Sequence, residues 1–148
     1  MNGGVDGGVN DAERVHASCV AFGDRGLLIL GPSGSGKSAL ALRLMALGAA
    51  LVADDQTLLT REGDALIARC PPQLSGLIEA RFVGLLRATP LDRARIALVT
   101  DLAQQESARL PPRRAVTLCG VTLDLVLPTQ SDHFPAALLC YLAGGRAA

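Results

Sequence analysis

The chain has 148 residues, enough for one domain whose core removes ~70% of the unfolded surface from water. Fourteen basic and fourteen acidic residues cancel, so no overall field attracts nucleic acid or an anionic membrane, and any acidic partner must be held locally. One tyrosine and three phenylalanines are too few for a base-stacking surface.

In chain order, residues 1–12 read as a disordered tail. The first ten include four glycines and lack the basic and apolar regions of a secretory leader. Residues 15–22 alternate well enough for a strand, Gly23-Asp24-Arg25-Gly26 is a turn, and 27–30 is the return strand. A helix over 39–47 follows, with Leu40, Leu44 and Leu47 on one face and Gly48 placed to end it. A short apolar strand over 50–53 ends at Asp54 and Asp55.

Residues 57–61 and 65–69 flank the turn Glu62-Gly63-Asp64 as a hairpin, which Pro71-Pro72 stops. Residues 74–86 read as a strand with a functional loop, 95–102 as a buried strand, and 104–112 as a polar connection. Residues 115–118 and 121–127 form a hairpin about Cys119-Gly120, and a closing helix over 135–143 begins with a proline. The longest apolar run, 134–145, falls short of the roughly twenty residues that span a bilayer. Cys19, Cys70, Cys119 and Cys140 form no C-x-x-C pair, so they read as buried thiols rather than as zinc ligands or a redox motif. The expectation is a soluble, cytoplasmic protein in which strands outnumber helices.

The chemistry concentrates at Gly31-Pro32-Ser33-Gly34-Ser35-Gly36-Lys37-Ser38, a complete G-x-x-x-x-G-K-[ST] phosphate loop between a strand and a helix. Its glycines let backbone N–H groups turn toward phosphate oxygens, the lysine reaches the β and γ phosphates, and the serine hydroxyl can ligate magnesium. Lys37 is the only lysine in the chain, against thirteen arginines. It falls where a compact ammonium suits the chemistry better than a planar guanidinium. A bound nucleoside triphosphate with magnesium is therefore expected.

Asp54 and Asp55 follow one helix later, at the carboxyl end of a strand, where ligands of α/β sheets sit. One can serve magnesium while the other accepts a hydroxyl proton, and strand alternation should point them opposite ways. A solvated strand-to-turn corner is the structural alternative. Glu79 is a charge in an apolar stretch, open to pairing with Arg81 or to holding a metal. His16 by itself reads as a surface imidazole.

Taken together, His16, "GPSGSGKS", "LGAALVADD" and "LIEARFVGLL" resemble the catalytic domain of HPr kinase/phosphorylase. That bifunctional enzyme uses ATP to phosphorylate a serine of the phosphocarrier protein HPr, and removes the phosphate with inorganic phosphate. The resemblance implies a strand-rich α/β phosphate-loop (P-loop) fold of the HPr kinase and phosphoenolpyruvate carboxykinase type, here as one domain over 13–148. It implies that Asp55 is the base in the kinase direction and the acid in the reverse one, with His16 and Lys37 also catalytic, and that Ser38 and Glu79 hold magnesium; Asp54 stays a catalytic candidate from its place beside Asp55. A catalytic arginine of the family is best matched by Arg109. An HPr-type protein is the implied partner, and a homo-oligomer is left open.

Two departures from the family pattern carry expectations of their own. Phe82 stands where the signature E-x-R-G has glycine, so the loop should follow a different path. Pro128-Thr129-Gln130-Ser131-Asp132-His133 replaces a basic Pro-Gly-Arg-Asn segment, so reverse transfer should be weak. The rival readings are a small-molecule P-loop kinase and a nucleotide-binding regulator without catalysis.

Overall fold

The structure is a computed structural model that describes residues 12–148; the expected tail over 1–12 lies, but for Ala12, outside the described residues. The strands are β1 (Glu13–Val15), β2 (Ala17–Phe22), β3 (Arg25–Leu30), β4 (Ala50–Ala53), β5 (Thr57–Glu62), β6 (Ala65–Arg69), β7 (Leu77–Ala80), β8 (Gly84–Arg87), β9 (Arg93–Asp101), β10 (Arg114–Leu118) and β11 (Val121–Val126). The helices are α1 (Lys37–Ala46) and α2 (Phe134–Gly144), with one 3-10 turn at Pro72–Leu74.

Nine of these strands join in one mixed sheet of order β1-β5-β6-β9-β3-β2-β4. β9 is its centre. On one side it runs parallel to β3; on the other its first half pairs with β6 and its second half runs parallel to β11, which carries β10 at its outer edge. β3 reads as an unbroken apolar run because both of its faces are covered. Leu28 joins one core cluster with Cys19, Val52, Leu59, Leu66 and Val99. Leu27 and Ile29 point the other way, into a second cluster with Leu40 and Leu44 of α1 and Leu138 and Leu142 of α2.

Strand direction sets where the chemistry can go. β2 runs antiparallel to β3, and β4 antiparallel to β2, so β3 and β4 end at the same edge of the sheet at which β2 begins. That edge therefore receives the phosphate loop, Asp54, Asp55 and His16 together.

Several boundaries differ from the sequence reading, each for a local reason. His16 interrupts the first strand and separates β1, which pairs with β5, from β2, which pairs with β3. The first turn shrinks to Gly23-Asp24, because Phe22 already faces Arg25 in register. α1 ends as expected: the Gly48 and Ala49 amides return to the Met45 and Leu44 carbonyls, with Gly48 at φ 112°. Leu47, in the cap itself, is exposed rather than part of the buried stripe.

Cys119 and Gly120 make a two-residue hairpin turn, both at positive φ. Residues 74–86 hold a complete hairpin, β7 paired with β8, as a separate two-stranded sheet. Of the four cysteines only Cys19 is buried; Cys70 and Cys119 are half-buried and Cys140 is exposed, so the reading of all four as buried thiols does not hold. No helix among the described residues is long and apolar enough to cross a membrane.

Candidate functional site

The phosphate loop leaves β3 and closes on itself before α1. Gly31 (φ 152°), Gly34 (φ 82°) and Gly36 (φ 100°) take backbone conformations that L side chains rarely adopt. At Gly31 space adds to the demand: a Cβ there would lie 2.5 Å from Ser35 Oγ and 3.2 Å from Leu102 Cβ. The Ser35 amide donates to the Pro32 carbonyl at 3.1 Å, and buried Lys37 donates to the same oxygen at 3.2 Å. Ser35 Oγ is buried with no partner among the described residues.

The loop forms the floor of a cleft of about 1320 Å³ that also takes in Asp54, Asp55, Glu79 and the hairpin tip at Arg81 and Phe82. Asp54 is buried, and both of its carboxylate oxygens accept hydrogen bonds. Oδ1 accepts from Ser18 Oγ at 2.8 Å and Ser38 Oγ at 2.6 Å, while Oδ2 accepts from the Glu79 amide at 3.1 Å. Asp55 turns outward instead, its Oδ1 2.7 Å from Nε2 of His16, with side chains 57% and 46% exposed.

The two acids diverge as expected, but strand alternation is not the reason. Both lie beyond the end of β4, and Asp55 sits at φ 67°, a left-handed conformation that aspartate tolerates better than most residues. A strained residue in a cleft is a common mark of function.

Glu79 is not the paired buried charge that its apolar neighbours suggested. It stands on the exposed face of β7 in the cleft, and no ion pair joins it to Arg81 among the described residues, because β7–β8 is a solvent-facing hairpin. Ser38, Asp54 and Glu79 present only oxygen donors, the set that suits magnesium. The described residues contain no cluster of three His, Cys, Asp or Glu side chains, and a magnesium ion shared with phosphate oxygens needs none.

Arg109 is exposed on the connection after β9 and is not among the residues that line the cleft, whereas Arg81 is. On the same connection Glu106 takes Arg114 on both carboxylate oxygens and accepts the Ser107 and Ala108 amides, which ties the connection to β10. Phe82 also departs from expectation. It does not avoid the left-handed conformation but adopts it, at φ 71°, with its ring fully exposed.

Sequence reasoning passed over Ser18. The available signal was a serine two residues beyond His16 in an otherwise apolar strand. Cys70 lies close enough to feel Asp54, and burial first, then that negative charge, push its thiol above the ordinary value.

Residues 9–109 match the family described as the HPr Serine kinase C-terminal domain. The chain belongs to this family. It is 41% identical over 97 residues to the HPr kinase/phosphorylase of Cupriavidus necator, a match covering 58% of this chain and 30% of that protein. It is 38% identical over 131 residues to HPr kinase/phosphorylase 1 of Oceanobacillus iheyensis, covering 83% of this chain and 40% of the relative. The chain thus spans less than half the length of these curated relatives. The Hpr(Ser) kinase/phosphatase structure from Coxiella burnetii superposes with a TM-score of 0.76 at 22% identity, covering 88% of each chain, so the strand-rich HPr kinase fold is shared almost throughout.

Proposed function

We propose that the chain is an ATP-dependent protein serine kinase whose acceptor is an HPr-type phosphocarrier protein. The observation that carries this reading is the His16–Asp55 pair, 2.7 Å apart, whose Asp55 lines one cleft with residues of the phosphate loop. A phosphate cradle alone binds nucleotide; a carboxylate oriented by a histidine beside it adds the base that transfer to a hydroxyl requires.

The loop amides of 33–36 and Lys37 hold the β and γ phosphates of ATP, and Lys37 exchanges the Pro32 carbonyl for phosphate oxygen. Ser38 and Glu79 are the residues that would hold Mg2+, which supplies positive charge at the β and γ oxygens. Asp54 keeps the Ser38 hydroxyl turned so that its lone pairs face the cleft. His16 occupies Oδ1 of Asp55, which leaves Oδ2 for the proton of the incoming serine hydroxyl. Arg81, in place of Arg109, offsets charge on the transferring group.

Reverse transfer is weak in this reading. The segment before α2 offers no arginine, and its His133 is engaged through Nδ1 with Ser131.

The test offers purified protein, magnesium and γ-labelled ATP to an HPr-type protein, to its serine-to-alanine version, and to no acceptor. Label on the first alone supports the reading. Label on a small molecule or on none of them overturns it, and pyrophosphate released from phosphoserine-HPr and inorganic phosphate overturns the one-way assignment.

A further inference from the structure

The base and the carboxylate behind Ser38 are neighbours in sequence, yet they face apart, and one side chain connects them. Ser18 is fully buried near the start of β2, on the same side of the strand as Val20, the side that α1 covers. Its hydroxyl lies 2.8 Å from Asp54 Oδ1 and 3.1 Å from the Asp55 amide. The roles are forced: an amide can only donate and an ionised carboxylate can only accept, so the Ser18 oxygen accepts from Asp55 and its hydrogen goes to Asp54.

Asp54 Oδ1 also receives the Ser38 hydroxyl, so a continuous chain runs from Ser38 through Asp54 and Ser18 to the backbone of Asp55. That backbone is in the left-handed region at φ 67°, a conformation that persists only where its surroundings hold it.

We infer that Ser18 is a positioning residue that locks Asp54 behind the Ser38 hydroxyl and fixes the strained backbone of Asp55 in one hydrogen-bonded unit. Its removal leaves the Asp55 amide unpaired and gives Asp54 one donor fewer, so both carboxylates lose definition while the phosphate cradle remains. The kinetic part of this inference rests on the kinase reading above; the part concerning Asp54 and Ser38 does not.

The experiment compares wild type with Ser18→Ala and Ser18→Cys, the second being close in size but a weak donor. Folding is checked by thermal unfolding and nucleotide binding by calorimetry with and without magnesium. The expected result is that both variants fold and bind ATP, but that the gain in ATP affinity on adding magnesium shrinks in both. In the transfer assay kcat falls ~10–100-fold, by more than KM for ATP rises.

A space-filling role would instead leave the cysteine variant like wild type. Wild-type magnesium dependence in folded Ser18→Ala overturns the inference, and so does wild-type kcat. Should wild type itself transfer nothing to any acceptor, the kinase reading falls while the magnesium comparison still decides on Ser18.

Discussion

At Asp55 three properties meet: a strained backbone, an exposed carboxylate and a histidine on one of its oxygens. Asp55→Asn keeps the shape and removes the basicity. It should abolish transfer while calorimetric ATP affinity stays within about threefold of wild type; substantial remaining activity would assign the base elsewhere. Phe82 shows the same left-handed strain without a partner to justify it. Its ring is fully exposed, so little is lost by deleting it. Phe82→Gly should raise stability by about 1 kcal/mol in denaturant unfolding, because glycine adopts positive φ without steric cost. A loss of stability instead would mean that the ring is buried against something in solution. The sequence named Asp55 but not its conformation, since φ at one residue follows from how β4, β2 and the cleft wall are joined.

At the scale of elements, the β7–β8 hairpin depends on its base. Gly76 lies at φ 74°, its carbonyl accepts the Ala88 amide at 2.8 Å, and a Cβ there would sit 2.9 Å from the Ala88 oxygen. Gly76→Ala should therefore destabilise by roughly 1–3 kcal/mol, read by denaturant unfolding, and loosen Glu79 and Arg81 at the cleft. The connection over 103–113 depends on Glu106. The Arg114 guanidinium, and next the Ala108 amide, hold the Glu106 carboxyl below the usual range. A depressed folded-state pKa means that the native state releases the proton more readily than the unfolded chain. The stability it contributes is present above the ordinary value of about 4.3 and is lost as the pH falls through the folded-state value. Thermal midpoints of Glu106→Gln should thus lie below wild type at neutral pH and converge with it in acid; parallel curves would show that the pair contributes nothing. Both carboxyl ties, this one and Glu62 with Arg93 and Arg69, were out of reach of sequence reasoning, because each joins residues whose pairing depends on the sheet order.

Across the whole molecule, strand direction assembles the site. β2 starts, and β3 and β4 end, at one edge of the sheet, which places His16, Ser18, the phosphate loop, Asp54 and Asp55 together although 39 residues separate His16 from Asp55. Much of this was legible beforehand. The phosphate loop is a local motif whose spelling is its chemistry, the strand–loop–helix–strand order follows from short-range pattern, and the turns at Gly48 and Gly120 follow from glycine's tolerance of positive φ. These features depend on neighbours in sequence, so the sequence by itself determined them, along with the family to which they belong. Long-range pairing decided the rest. β9 sits at the centre with three neighbours, Glu79 faces the open cleft rather than an ion pair, Arg81 lines the cleft, Glu106 ties its connection to Arg114, and the two adjacent aspartates divide, Asp54 inward onto Ser18 and Ser38, Asp55 outward onto His16. Each of these contacts brings together residues distant along the chain, and only the packed sheet fixes which distant residues meet.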